Sequence, residues 1–234
     1  YEMASCLVGS EMFIRDSYYI NYFVKIMNEK NSLGLDICFK DEDNPVNLFK
    51  EWFKKAETTE PNDPNALSLA TADKSGRPKV RMVLLKGFSD DGFTFYTNFN
   101  SSKGKDLKEN PKASMCFHWK SLLRQIRIYG NVVQVPDKEA DEYYNSRAYG
   151  SRIGAWASNQ SEVLESRKSL DDSIEKFKKK FSDEKKVPRP PNWSGWRLVP
   201  EEIEFWRDGD NRIHERLKYV KNNGKGWKRF LLNP

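Results

Sequence analysis

Histidine and cysteine are scarce in this chain, with two of the first and three of the second among 234 residues. His118 and His214 lie far apart and in no His-Glu-x-x-His arrangement, which excludes a histidine-rich metal site and a metal hydrolase; no bound metal is expected. Cys6, Cys38 and Cys116 are odd in number and contain no Cys-x-x-Cys pair, so neither a disulfide framework nor a thiolate zinc site is indicated, and a reducing compartment is expected. Tyr1 to Ser10 lack a basic stretch followed by an apolar one, and Glu2 and Glu11 argue against a transit peptide, so the expected location is cytoplasmic. No apolar run approaches the roughly 18 residues that cross a bilayer, and no membrane association is expected. There is no Gly-x-Gly-x-x-Gly after a strand and no Walker lysine, so any phosphate must be held by side chains rather than by a glycine loop. Positive charge is in small excess, +6, too dilute to indicate a nucleic-acid partner.

What is present is a succession of short alternating segments. Residues 1–43 show no clean period and are read as an arm or tail; residues 44–234 are read as one domain. Asn44-Pro45 caps an amphipathic helix with Val46, Phe49, Phe53 and Ala56 on one stripe. Ala66 to Thr71, Val80 to Gly87 and Phe93 to Asn98, separated by Asp73-Lys74-Ser75-Gly76 and Asp90-Asp91-Gly92, are expected to form a three-stranded meander. Ser101-Ser102 opens a short helix that Pro111 stops, and strands follow at Ala113 to Trp119 and Arg124 to Val135. Helices are expected at Asp137 to Arg147 and about Ser161 to Phe181, the second with Leu170, Ile174, Phe177 and Phe181 on one stripe and its lysines late, as the helix dipole prefers. Val187 to Pro191 is an extended connector. Trp196 to Val199, Ile203 to Trp206, Arg212 to Val220 and Trp227 to Leu231 give further strands, the last two joined at Asn222-Asn223-Gly224. So many short antiparallel strands with a few helices point to a mainly β, α+β fold, a β-barrel with helical additions rather than a doubly wound sheet.

Side chains able to hold anions gather in several places. Alternation over Arg212 to Tyr219 puts Arg212, His214, Arg216 and Lys218 on one strand face; alone, this pattern reads more simply as a solvated face. Tyr143 and Arg147, four apart on a helix, with Ser151 beyond it, offer a phenol, a guanidinium and a hydroxyl to a phosphate, or are a surface pair. Arg81-Met82-Val83-Leu84-Leu85-Lys86 is an apolar strand with a cation at each end, either needing a partner beside buried surface or reaching water. Ser101-Ser102-Lys103 sets a lysine at a helix start, favourable to an anion and equally an ordinary cap.

Taken in order, Arg81 to Phe88, Phe95 to Asn98 followed by Ser102 to Lys105, Arg124 to Arg127, Tyr143 to Arg147 with Ser151, Ile153 and Gly154, Ser158 to Ser161, and Glu204 to Trp206 with Asn211 to Arg216 resemble the pyridoxine (pyridoxamine) 5′-phosphate oxidase family, over about Asn44 to Pro234. The resemblance implies a homodimeric FMN-binding split β-barrel. It implies FMN held at the subunit interface by positions matching Arg81, Met82, Val83, Leu84, Tyr96, Thr97, Lys103 and Gln125 of one chain, with the neighbouring Ser102. Gln160, Ser161, Trp206 and Arg216 would come from the other chain. Lys86, Tyr143, Arg147 and Ser151 would grip the substrate phosphate, and Arg212 and His214 would orient the pyridine ring and ease proton loss. The implied reaction moves a hydride from C4′ of pyridoxine 5′-phosphate or pyridoxamine 5′-phosphate to the flavin, gives pyridoxal 5′-phosphate, and returns the electrons to O₂ as H₂O₂. The chain departs from the family pattern at Ser102, where an arginine is usual, at Ala148, where proline is common, and in its first 40 or so residues, which do not show the family's Arg-x-x-Tyr arm in a convincing register. The competing readings are another FMN-dependent split-barrel reductase, which has no use for the Tyr143, Arg147, Ser151 and Arg212 set, and a non-catalytic FMN or pyridoxal phosphate carrier.

Overall fold

The computed structural model describes residues 29–222 and 226–234. The sequence readings at residues 1–28, including Cys6, and the Asn223-Gly224 part of the last hairpin lie outside the described residues. The chain divides into two compact units at Asp43/Asn44. In the first, residues 29–43, the Asn31 amide oxygen accepts from the Leu33 and Leu35 N–H groups and a bridge joins Lys30 to Asp36. Everything below concerns the second unit.

Helix α1 (Pro45–Thr59) starts where expected: the Asn44 side chain accepts from the Val46 N–H, and Pro45 supplies a preset φ at a position that needs no donor. Its buried stripe is Val46, Leu48, Phe49, Trp52 and Ala56. Phe49 meets Phe88, Phe93 and Phe117 edge-on at centroid distances of 4.8, 4.9 and 5.3 Å, so truncating it to alanine is expected to cost about 3–5 kcal/mol.

Among the described residues the sheet has nine strands: β1 (Ala66–Ala72), β2 (Pro78–Leu84), β3 (Gly87–Ser89), β4 (Gly92–Asn98), β5 (Lys112–Trp119), β6 (Arg124–Gln134), β7 (Trp193–Arg207), β8 (Glu215–Lys221) and β9 (Trp227–Leu231). The order along the main path is β2-β1-β5-β6-β7-β4-β3, with β8 and β9 continuing from β7. The two ends of that path, β2 and β3, are separated in sequence by only Leu85 and Lys86, so the sheet curls until its edges meet, the split barrel expected from the sequence. Leu85 is buried inside this closure, and the Lys86 N–H donates to the Thr94 carbonyl at 2.8 Å. The helices are α1, α2 (Ser102–Glu109), α3 (Asp137–Ser146), α4 (Tyr149–Ala157) and α5 (Arg167–Lys180). Among the described residues, no helix is long and apolar enough to cross a membrane.

Several local expectations are corrected. The meander does not form: β1 and β2 pair, but the third strand pairs with β7 and β3 instead, because the chain bends at Leu85-Lys86 and crosses to the far edge of the sheet. Trp196 to Val199 and Ile203 to Trp206 are one strand, β7, running through Pro200. The proline is tolerated because the β4 pairing ends at Leu198 and the β8 pairing begins at Glu202, leaving only β6 beside it, and there the register shifts in a bulge. Gly130 faces this point, where a Cβ would stand 2.0 Å from the Val199 carbonyl oxygen.

The helix expected from Ser161 starts only at Arg167, capped by Ser166, whose hydroxyl accepts from the Ser169 N–H. Helix α4 was not anticipated: Gly150 and Gly154 give it a loop-like composition. It is held from outside, by the Tyr144 hydroxyl donating to the Arg152 carbonyl and by Trp156 packing against Phe177 and Phe181 of the α5 stripe. Arg212 is not on a strand. Asn211 and Arg212 have φ of +55° and +65° in a turn before β8, so the single face through Arg212, His214, Arg216 and Lys218 does not exist.

Candidate active site

Strands β2 and β4, the start of α2, helices α3 and α4 and the first residue of β7 enclose a cleft of about 690 Å³. One wall is aromatic. Tyr96 on β4 stacks on Tyr143 of α3 at 4.0 Å and 17°, and on Trp193 at 5.5 Å and 8°. The Tyr96 ring lies flat because its cross-strand partner is Gly195, where a Cβ would come within 2.8 Å of the ring. Burial, then the nearby Glu139 carboxylate, push the Tyr96 phenol up to about 12, so it remains a hydrogen-bond donor throughout the neutral range.

At one place in the cleft stands Lys103, in the first turn of α2 and only 8% exposed. Its Nζ lies 3.2 Å from Thr97 Oγ1, 3.3 Å from Ser101 Oγ and 3.2 Å from Gln160 Oε1, all neutral oxygens. Burial first, and the neighbouring Arg81 second, push its ammonium below the ordinary lysine value; no carboxylate compensates. Arg81 itself donates to Thr71 Oγ1 at 2.6 Å and stands 3.8 Å from Asp106, which is engaged by Lys79 at 2.7 Å. Ser101 is the N-cap of α2, its hydroxyl accepting from the Gly104 N–H, and the helix N-terminus adds its own positive end to the lysine. A buried cation without a counterion, beside a second cation and a helix N-terminus, is a seat for an anion.

The second seat is Arg147, the C-cap of α3. Its guanidinium lies over the Trp193 ring at 4.8 Å, and its Nη1 is buried with no hydrogen-bond partner. Burial lowers its pKa, and the groups that oppose this are Tyr143 and Tyr144, not carboxylates. Lys86, Tyr143 and Ser151 line the same cleft, Ser151 from the first turn of α4. The expectation that Arg81 to Lys86 run beside buried surface is corrected. Val80, Met82 and Leu84 are 70%, 63% and 39% exposed because they alternate onto one face of β2 that no other described element covers, and Met82, Val83, Leu84 and Lys86 line the cleft.

The structure therefore brings Met82, Val83, Leu84, Lys86, Tyr96, Thr97, Lys103, Tyr143, Arg147, Ser151 and Gln160 together around one hollow, with Arg81 against Lys103. Gln160 was assigned to a second chain, but its Oε1 accepts from Lys103 and Thr97 of its own chain, because the loop after α4 folds back over β4. Ser161, next to it with φ of +75°, is exposed, and Ser102 is a half-buried first-turn residue of α2. Gln125, Trp206, Arg212, His214 and Arg216 do not line the cleft; they form a second group where β6 begins, β7 ends and β8 starts. Gln125 is opposite Trp206, which is opposite Arg216, and the His214 ring lies 4.7 Å from that of Trp206. His214 Nδ1 accepts from the Gly209 N–H at 3.3 Å and stands 3.0 Å from Asp208 Oδ1. Sequence reasoning missed Trp193, Asn98 and Ser158 of the cleft lining. Trp193 lies before the strand expected from Trp196, and only the tertiary fold, which stacks it on Tyr96 and under Arg147, makes it a wall of the site.

Two family models match the chain: "Pyridoxamine 5′-phosphate oxidase" over residues 53–181 and "Pyridoxine 5′-phosphate oxidase C-terminal dimerisation region" over residues 193–234. A curated pyridoxine/pyridoxamine 5′-phosphate oxidase from Pelagibacter ubique (strain HTCC1062) is 62% identical over 208 residues, covering 89% of this chain and 100% of that protein. One from Rhizobium etli is 52% identical over 197 residues, covering 84% and 95%. Among solved structures, PhzG from Burkholderia lata 383, in complex with tetrahydrophenazine-1-carboxylic acid, superposes with a TM-score of 0.78 at 32% identity, covering 85% of this chain and 96% of that one. Matched over both its barrel and its C-terminal strands, this chain belongs to the pyridoxamine 5′-phosphate oxidase family.

Proposed function

We propose that this protein is a pyridoxine/pyridoxamine 5′-phosphate oxidase that uses FMN and works as a homodimer. The observation that carries the proposal is the pair of anion seats facing one cleft: Lys103 with neutral oxygens only, and Arg147 with a buried Nη1 that has no partner. One ligand with a phosphate explains one seat; a phosphorylated cofactor and a phosphorylated substrate explain both. The 50–62% identity to proteins named pyridoxine/pyridoxamine 5′-phosphate oxidase, over most of the chain, supports the same reading.

The residues present fit FMN. Lys103, Arg81, Thr97, Gln160 and the start of α2 with Ser102 would hold its phosphate, Ser161 lies beside Gln160, and Met82, Val83, Leu84 and Tyr96 would border the ring. When bound, FMN supplies two-electron acceptor chemistry that no side chain offers and passes the electrons to O₂. Lys86, Tyr143, Arg147 and Ser151 would fix the substrate phosphate, which limits the pyridine ring to one orientation. Gln125, Trp206, Arg212, His214 and Arg216 lie outside the cleft of their own chain, so they would complete the site from the second subunit, with Gln125 contributing at the shared edge; the match of residues 193–234 to a dimerisation region supports this. There His214, held beside Trp206 by the Asp208 and Gly209 contacts at Nδ1, would take a proton from the 4′ substituent, and Arg212 would orient the ring. The two successive left-handed residues Asn211 and Arg212 cost of order 1 kcal/mol each, a strain that persists where a side chain must be aimed. Overall, the 4′ alcohol or amine becomes the aldehyde of pyridoxal 5′-phosphate, water displacing ammonia in the second case, while O₂ becomes H₂O₂.

The purified protein should be yellow, and its visible bands should bleach when pyridoxamine 5′-phosphate is added without oxygen. A colourless protein that takes up no added FMN would overturn the proposal. The base role is tested separately: His214→Gln should lower kcat/KM about a hundredfold for both substrates with FMN still bound, and unchanged kcat/KM would remove it.

A further inference from the structure

We propose that Trp193 is a positioning residue for the substrate-phosphate seat: the face of its indole carries the Arg147 guanidinium and aims it into the cleft while leaving every N–H donor and the whole charge available to an anion. This rests on the reading that Arg147 binds the substrate phosphate.

An arginine in a protein interior is usually steadied by a carboxylate, and this fold shows that alternative nearby. Arg189 donates from Nε to Asp141 at 2.5 Å and from Nη2 to Asp137 at 2.8 Å, both on α3. Such a seat neutralises the cation and occupies the planar edges that a phosphate uses. Arg147 is held differently. Its Cζ lies 4.8 Å over the Trp193 ring and 5.9 Å from the Tyr144 ring, and no carboxylate is among the groups acting on it. A ring face attracts the cation through its quadrupole and contacts only the flat of the guanidinium, so it consumes none of the in-plane donors, and Nη1 has no hydrogen-bond partner.

Trp193 is itself fixed on every side. Arg189 Nη1 donates to its carbonyl at 2.8 Å, so the residue that staples α3 also anchors the tryptophan backbone. Its ring lies parallel to Tyr96 and Tyr143, at 8° and 9°, and meets Tyr144 edge-on at 5.1 Å. The guanidinium is therefore seated on a packed ring wall rather than on a side chain standing alone.

The test compares 4-deoxypyridoxine 5′-phosphate, which has no 4′ group to oxidise, with 4-deoxypyridoxine, by equilibrium dialysis against the FMN-loaded protein. Trp193→Leu keeps apolar volume and removes the ring face; it should weaken the phosphate ester about tenfold and leave the unphosphorylated analogue unchanged, and Trp193→Phe should weaken the ester about threefold. In an Arg147→Ala background, Trp193→Leu should add nothing. Equal weakening of both analogues, or effects that add to those of Arg147→Ala, would make Trp193 merely structural and overturn the proposal. If Trp193→Leu does not fold, the cycle of Trp193→Phe with Arg147→Ala decides on the same criterion. A different result, in which Arg147→Ala itself leaves the ester's advantage over the unphosphorylated analogue intact, would instead remove the substrate-seat reading.

Discussion

The cations of the cleft and those of the β8 face are of the same residue types and were equally suggestive in sequence, but the structure treats them in opposite ways. On the β8 face Arg216 donates from Nε to Glu204 at 2.9 Å and from Nη1 to the Asn233 carbonyl at 2.8 Å, Arg127 is paired with the same Glu204, and Lys218 is 2.7 Å from Glu202. In the cleft, Lys103 and Arg147 have no carboxylate at all. A paired cation is a structural group with donors to spare at most; an unpaired one in a buried place is destabilising until an anion arrives. Charge therefore marks nothing by itself, and the missing counterion is the signal.

The sharpest way to break this comparison is Arg147→Ala. Losing one charged hydrogen-bonding group should weaken the phosphate-ester substrate by about 1.5–3 kcal/mol, an increase in KM of roughly ten- to a hundredfold, with FMN affinity unchanged. Unaltered KM would place Arg147 with the structural cations. Next comes Lys103→Met. FMN affinity measured by flavin fluorescence should fall by at least about tenfold, the loss of one charged hydrogen bond, while the flavin-free protein melts higher. The sign of the second effect follows from the pKa. A lysine whose folded value is depressed makes an unfavourable contribution to stability at all pH below that value, relieved only as pH rises toward the ordinary 10.4 or so, and methionine removes it.

Arg216→Ala sharpens the other side. Its principal effect should be on stability, about 1 kcal/mol in urea unfolding, because Glu204 is buried and keeps only Arg127; the drop in FMN affinity should be smaller than for Lys103→Met. A larger drop would show that pairing does not prevent a cation from serving a ligand. The smallest expected effect is on pH. FMN affinity should be flat through neutrality and decline as pH rises past the depressed Lys103 value, with protons taken up on binding there, a slope absent in Lys103→Met and visible by titration in weak buffer.

Much of the fold was legible because it follows from local chemistry. Asn44-Pro45 starts α1, Ser101 caps α2, and the alternation of Ile126 and Ile128 against Gln125, Arg127 and Tyr129 is seen in β6, whose isoleucines are fully buried. Misreadings came where long-range pairing overrode local pattern. Pro200 broke β7 into two segments in the sequence, yet it sits where one neighbour has ended and the next has not begun. Gly150 and Gly154 concealed α4, whose helical state depends on Tyr144, Phe177 and Phe181 from other elements. Arg212 looked like a strand residue until the Asp210-Asn211 turn placed it elsewhere.

By itself the amino-acid sequence determined the barrel class, the family, and which side chains are able to meet phosphates, since all three depend on residue types and spacing along the chain. Only the tertiary structure decided which of those cations have counterions, that Gln160 folds back onto Lys103 of its own chain, and that Trp193 carries Arg147. The reason is physical: solvation and pairing are properties of the space around a group, and residues as distant in sequence as Lys103 and Gln160, or Arg147 and Trp193, share that space only after the sheet has closed.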